Sequence, residues 1–193
     1  LLVLSMVVGY FPAILSANAT GAATNVESTL DMLENASFVS GNVSWNGNSI
    51  YTYDNKSTVV NGADSASSWR FSRTTAEGYT YPTMLIDFGK SYDLSNQDLV
   101  FDIKADPAEE LTSYNVGITL YDSNATQISQ IYYLYYTGND WYGLTMENGA
   151  LQAYLLPGKS LSDVKYINMQ FTLPAGGAQN IYVDNMHLAQ RPA

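Results

Sequence analysis

The chain has 193 residues, 46 % of them hydrophobic and 13 % charged, so it can bury one sizeable core beneath a largely uncharged polar surface. Its net charge of −10 disfavours nucleic acid and anionic membranes as partners. The absence of cysteine and the single histidine leave no basis for disulfides or thiol nucleophiles, and hardly any for zinc. The 16 tyrosines suit a partly exposed sheet surface, because a tyrosine can bury its ring and keep its hydroxyl in water. Neutral ligands are therefore favoured.

The N-terminal segment has the pattern of an export signal. Residues 1–15 are apolar, and Ser16-Ala17-Asn18-Ala19 follows, which predicts a signal-peptide remnant over residues 1–19 with cleavage after Ala19. A buried core strand or helix is the alternative, and a membrane span would need a longer apolar run. We expect a linker at 20–29, one domain at 30–190, and a secreted or cell-surface location, in a bacterium because the chain has no disulfides.

From residue 49 onward, short alternating segments are separated by turn signals such as Asn61-Gly62 and Pro157-Gly158. The alternating segments are 67–73, 83–88, 99–105, 115–121, 127–136, 141–146, 166–173 and 180–188. No helix is expected beyond a turn at 161–164. This pattern predicts an all-β fold, an antiparallel β-sandwich or jelly roll.

Alternation also predicts which side chains form the core. The predicted inward-facing residues of three strands are Leu99, Phe101, Ile103, Val116, Ile118, Leu120, Ile167, Met169, Phe171 and Leu173. We also expect Trp69, Phe71 and Trp141 in the core. In the last strand, Ile181 and Val183 have the opposite parity to Met186 and Leu188, which predicts a β-bulge at Asp184-Asn185.

Several segments, in chain order, resemble strands of carbohydrate-binding modules with the galactose-binding-like jelly roll, most of all the family 11 and family 4-like modules. The matching segments are 30–34 (LDMLE), 65–72 (SASSWRFS), 99–105 (LVFDIKA), 139–141 (NDW) and 181–188 (IYVDNMHL). The resemblance implies a galactose-binding-like β-sandwich that binds polysaccharide without catalysing a reaction.

The same resemblance implies a structural calcium ion. Its ligands would be Glu34, Asp184 and carbonyl oxygens of a glycine loop near Gly62, since calcium prefers six to eight hard oxygen ligands. The alternative is that both acids are simply solvated residues at strand ends.

Tyrosine rings are the candidate ligand-binding groups, because they can stack on the apolar faces of sugars while polar side chains bind the hydroxyls. The candidates are Tyr79, Tyr81, Tyr121, Tyr132, Tyr136 and Arg70. Aligning Tyr135 with an apolar position of the family sends Ile131, Tyr133 and Tyr135 into the core and leaves Tyr132 and Tyr136 on the ligand face. A single bulge would reverse this parity.

The sequence thus predicts a non-enzymatic module that binds a neutral β-glycan and is linked to other modules in a larger chain. His187 is the only histidine, and we find no Gln-x-His strand typical of jelly-roll polysaccharide lyases. Two alternatives stay open. One is a jelly-roll lyase or glycoside hydrolase domain, since paired carboxylates can be catalytic, and the other is a protein-binding adhesion module.

Overall fold

The computed structural model describes residues 31–41, 44–45, 49–61, 67–75, 78–106, 114–136 and 140–190. The predicted signal peptide, the linker and Gly62 lie outside the described residues. Within the described ranges, the elements are strands β1 (Ser37–Gly41), β2 (Ser44–Trp45), β3 (Ser49–Ser57), β4 (Ser68–Arg73), β5 (Thr83–Tyr92), β6 (Gln97–Asp106), β7 (Tyr114–Tyr121), β8 (Tyr132–Tyr136), β9 (Tyr142–Met146), β10 (Val164–Thr172) and β11 (Gln179–Gln190), with helix α1 (Asn148–Ala153) between β9 and β10.

The strands form two antiparallel sheets. One has five strands in the order β1-β5-β10-β7-β8, and the other has six in the order β2-β3-β4-β11-β6-β9. Each sheet buries one face against the other, as the alternation in the sequence requires. The predicted antiparallel β-sandwich is confirmed.

The core lies between the two sheets and contains the predicted inward sets. All ten residues that were predicted to face inward are buried. Nine lie on β6, β7 and β10, and Leu173 directly follows β10. Phe71 and Phe171 stack across the core with ring centroids 5.3 Å apart, and Trp69 is buried as predicted. Trp141 is not a core residue. It is partly exposed, because it lies against Tyr182 on the outer side of the six-stranded sheet, with ring centroids 6.4 Å apart.

Three local predictions are wrong. Residues 31–34 form a turn rather than an opening strand, although the Met32 N–H donates to the Met186 carbonyl at 2.7 Å. The predicted strand 127–136 is regular only from Tyr132. Helix α1 was not expected, because its six residues carry no amphipathic repeat.

Tertiary contacts hold helix α1 in place. The Asn148 N–H donates to Asp98 Oδ1 at 2.7 Å, and Leu151 is buried. In the part of the chain that the structure describes, no helix is long and apolar enough to cross a membrane.

The predicted bulge in the last strand is confirmed. Asp184 pairs with Asp102 and His187 pairs with Val100, so β11 holds one extra residue between these pairs. Asn185 has φ 52°, the left-handed conformation that asparagine tolerates better than most residues. The bulge returns Met186 to the core after Val183.

Candidate functional site

The outer face of the five-stranded sheet carries a row of four side chains on four neighbouring strands. Thr80 bridges Leu173 and continues the β5–β10 register, so Tyr81 lies opposite Thr172. Thr172 pairs with Asn115, and Asn115 pairs with Tyr135. With neighbouring strands about 4.8 Å apart, the two tyrosines are separated by about 14 Å across the sheet. Tyr135 is 51 % exposed, and Tyr81 is exposed as well.

A second row runs beside the first, two residues further along each strand. It consists of Thr83, Gln170, Gly117 and Tyr133. A Cβ atom on Gly117 would lie 2.5 Å from Ile131 Cδ1 and 2.8 Å from Tyr133 Cε1. The side chains of Ile131 and Tyr133 therefore lie across β7, in the space that a side chain at position 117 would fill. The Tyr133 hydroxyl donates to Gln170 Oε1 at 3.3 Å. We call this outer face, with Tyr81, Tyr133 and Tyr135, the tyrosine face.

The predicted parity of β8 is wrong. Leu134 and Tyr136 point into the core, with Tyr136 only 1 % exposed, whereas Tyr133 and Tyr135 point outward. Tyr132 is half-buried, and its ring meets the Tyr154 ring edge-on at 4.8 Å. Leu134 determines the parity, because it is the one residue of the strand without a polar atom to keep in water. A ring as buried as that of Tyr136 cannot stack on a ligand.

The far end of the tyrosine face is more polar. Tyr121 pairs with Tyr166, which in turn pairs with Asp87. Lys165 Nζ lies 3.6 Å from Asp87 Oδ2, and the negative charge of Asp87 raises the pKa of this lysine. Tyr121 is thus on the tyrosine face as predicted, half-buried and beside a charged pair.

The remaining predicted ligand residue, Arg70, lies on the other side of the sandwich. It is on β4 between the buried residues Trp69 and Phe71, so its side chain points outward from the six-stranded sheet. Its Nη2 atom lies 3.2 Å from Asp54 Oδ2. We call this outer face, with Asp54, Arg70 and Lys104 around Tyr182, the ion-pair face. Arg70 and the exposed tyrosines cannot contact the same sugar unit.

The bulge on β11 organises a cluster of acids and amides, the bulge cluster, made of Asp31, Asn61, Asp102, Asp184 and Asn185. Asp184 is fully buried and accepts hydrogen bonds from the backbone N–H groups of Asn61 at 2.7 Å and Asn185 at 2.9 Å. Asp102 Oδ2 accepts from the side-chain amides of Asn61 at 2.9 Å and Asn185 at 2.8 Å. Asp31 Oδ1 accepts from the backbone N–H groups of Leu33 and Met186, which joins the turn to the bulge.

The acidic side chains at the bulge cluster lie close enough to affect one another's charge. Burial raises the pKa of Asp31, and the nearby negative charges of Asp184 and Glu34 raise it further, against the lowering effect of its two backbone hydrogen bonds. A cation would relieve this repulsion, and carboxylate oxygens are ligands that calcium prefers. Of the predicted ligands, Asp184 is in the cluster, Glu34 is exposed nearby, and Gly62 follows Asn61 outside the described residues. Asp31 was missed by the sequence analysis.

The described residues, the bulge cluster included, contain no group of three or more acidic or histidine side chains in a metal-binding arrangement. Calcium in the bulge cluster would therefore need carbonyl and water oxygens beside the carboxylates.

The chain has a β-sandwich fold that is also found in carbohydrate-binding modules. It is similar in structure to the family 11 carbohydrate-binding module of a cellulosomal cellulase of Clostridium thermocellum, with TM-score 0.51, 15 % identity, and coverage of 88 % of this chain and 97 % of that one. A family 11 module from the same organism, in complex with a β-1,3-1,4-mixed-linked tetrasaccharide, gives TM-score 0.53, 15 % identity, and coverage of 84 % and 94 %.

A third structure, from a study of promiscuous carbohydrate-binding modules of the β-sandwich superfamily, gives TM-score 0.53 at 12 % identity, covering 85 % of this chain and 62 % of that one. No protein-family model and no curated protein sequence matches the chain. These structures confirm the fold that the sequence motifs indicated.

Proposed function

We propose that the chain is a non-catalytic polysaccharide-binding module of a secreted or cell-surface protein, and that its ligand is a neutral β-glycan. The observation that carries this proposal is the pair of rows on the tyrosine face. Exposed tyrosine rings lie at the ends of these rows, and uncharged side chains of Asn115, Gln170 and Thr172 lie between them. Rings can stack on the apolar faces of sugars, and amides and hydroxyls can bind the sugar hydroxyls.

Charge supports a neutral ligand. The chain carries a net charge of −10, and the tyrosine rows contain no ionised side chain. A polyanion would meet long-range repulsion and find no cation in the rows to compensate for it. The cation Lys165, at the far end of the face, is already paired with Asp87.

The proposed mechanism is passive binding. Each stacked ring contributes about 1 kcal/mol, so several rings give modest affinity for one chain. Attachment to a larger protein would raise the effective concentration of a linked enzyme at the polymer.

We further propose a stabilising calcium ion in the bulge cluster, held by Asp184 and Asp31, with Glu34 and a carbonyl near Gly62 as additional ligands. Calcium would supply positive charge to the repelling carboxylates and tie the 31–34 turn to β11.

Affinity electrophoresis tests the binding proposal. The chain is run through gels that contain soluble β-glucan, xylan, mannan or an acidic polysaccharide, and sugar release is assayed in parallel. We expect retardation by at least one neutral β-glycan without released product. Release of reducing or unsaturated sugar would instead indicate an enzyme, and a chain that no glycan retards would favour the protein-binding alternative.

A further inference from the structure

An arginine lies inside the sandwich at the end of β4. Arg73 is 2 % exposed and faces the core, like Trp69 and Phe71 on the same strand. Its partner across the sheet, Gln179, is also buried. A buried guanidinium is costly unless hydrogen bonds satisfy it, so its partners must be well placed.

The guanidinium of Arg73 binds two different loops. Nη1 donates to the Pro174 carbonyl at 2.6 Å and lies 3.3 Å from Thr80 Oγ1, while Nη2 donates to the Gly177 carbonyl at 3.0 Å. Pro174 and Gly177 belong to the connection between β10 and β11, and Thr80 belongs to the connection between β4 and β5. One buried side chain therefore joins both loops at the same end of the sandwich.

That end of the sandwich carries two exposed tyrosines, Tyr79 and Tyr81. Tyr79 and Tyr81 flank Thr80, and Tyr79 is 59 % exposed. The backbone of Thr80 is also fixed, because its N–H and C=O both pair with Leu173, at 2.8 and 3.0 Å. Tyr79 and Tyr81 are therefore the direct neighbours of a residue, Thr80, that is held through both its backbone and its side chain. They lie at the end of the first tyrosine row.

We propose that Arg73 is a positioning residue, and that it holds Tyr79 and Tyr81 as a terminal subsite for the polysaccharide chain on the tyrosine face. The inference rests on the proposed function and adds to it. A loop held in place before binding loses less conformational entropy when a sugar docks, so the contribution of its rings to affinity is larger.

The test compares two arginines of the same strand. Arg73→Met and Arg70→Met remove the same side chain and the same charge, but Arg70 lies on the ion-pair face. After circular dichroism confirms the fold, affinity for the retarding glycan is measured by affinity electrophoresis. We expect Arg73→Met to weaken binding about tenfold, as the loss of one or two stacking contacts would, and Arg70→Met to stay within about twofold.

A purely structural role for Arg73 is distinguished by a double-mutant cycle. In a Tyr79→Ala/Tyr81→Ala background, Arg73→Met should weaken binding by less than about twofold, because the rings that it positions are gone. A further loss of about tenfold in that background would overturn the proposal, since Arg73 would then act on the whole face.

Two more outcomes are decisive. If Arg73→Met does not fold, Thr80→Val removes one hydrogen-bond partner of the guanidinium and should weaken binding about threefold, and an unchanged affinity would overturn the proposal. A wild-type chain that binds no glycan would refute the proposed function, and the subsite with it. A wild type that binds, beside a folded Arg73→Met variant that binds equally well, would refute only the role of Arg73.

Discussion

On the five-stranded sheet, Tyr133 and Tyr135 keep 42 % and 51 % of their surface exposed, whereas on the six-stranded sheet Tyr182 is only 4 % exposed and lies against Trp141. Both sheets therefore place aromatic residues on their outer faces. On the ion-pair face the rings pack on one another among Asp54, Arg70 and Lys104, which lie in the same cross-strand row as Tyr182. On the tyrosine face the rings lie at the ends of rows of uncharged side chains.

The difference shows that aromatic content alone does not identify a binding surface. A ring that already packs on another ring has little apolar area left to offer a sugar. A ring that lies at the edge of an uncharged row has both a free face and polar neighbours. The exposed tyrosines, rather than the tryptophans, are therefore the groups we expect to contact the ligand.

The largest expected effect comes from removing the rings of one face only. Tyr133→Ala/Tyr135→Ala should weaken binding of a neutral β-glycan about 30-fold, from about 1 kcal/mol of stacking per ring. Trp141→Ala on the ion-pair face is the matched control and should change affinity by less than about twofold. Affinity electrophoresis measures both, and equal losses in the two variants would abolish the distinction between the faces.

A smaller effect is expected from two glycines, one on each face. Gly117→Ala places a methyl group against Ile131 and Tyr133, so it should displace the Tyr133 ring and weaken binding about fivefold. At Gly143, on the ion-pair side, a Cβ atom would meet only Asp102 Oδ1, at 3.4 Å. Titration calorimetry should therefore give wild-type affinity for Gly143→Ala. If Gly117→Ala also kept wild-type affinity, the Tyr133 ring would not need to lie across Gly117 when the glycan is bound.

The smallest effect on binding is expected from a change in the bulge cluster, at Asp31. Its effect on stability should nevertheless be clear. Asn keeps the hydrogen-bond acceptor of Asp31 but removes its charge. With calcium present, Asp31→Asn should lower the melting temperature by about 5 °C or more, because a ligand charge is lost. In excess chelator the same change should raise the melting temperature, since the variant no longer buries a charge that is destabilised by desolvation and by repulsion from Asp184 and Glu34.

The pH dependence of this effect follows from the raised pKa of Asp31. A carboxyl group whose pKa is higher in the folded state stabilises the fold when protonated, and this contribution is lost as pH rises through the folded pKa. In chelator, the advantage of Asp31→Asn should therefore be greatest at neutral pH and vanish in acid. Calorimetric melts from neutral to acid pH measure it, and an Asp31→Asn variant that behaves identically with calcium and chelator would argue against the proposed ion.

Much of the fold could be predicted because several strands have unambiguous alternation. Leu99, Phe101 and Ile103 alternate with polar or smaller residues, and their burial follows directly. The bulge at Asp184-Asn185 was predictable for the same reason, because the apolar parity changes there. The turn at 31–34 and helix α1 were not, since contacts with distant residues such as Met186 and Asp98 hold them.

The site was harder to predict because β8 consists of four tyrosines and one leucine. Tyrosine is compatible with either face, so the only contrast in the strand is Leu134, and that residue alone indicates the correct parity. The alternation of β4 places Arg73 on the same side as Trp69 and Phe71, but its role could not be predicted, because the carbonyl groups that bind its guanidinium belong to a loop about a hundred residues later in the chain.

The most direct test of which face binds is a chemical-shift titration of the ¹⁵N-labelled chain with an oligosaccharide of the glycan that retards it. We predict that amide shifts concentrate on the two tyrosine rows, at Thr83, Asn115, Gln170 and Tyr135, with little change around Tyr182. Shifts that centre on Tyr182, Arg70 and Lys104 instead would contradict the assignment of the binding site to the tyrosine face.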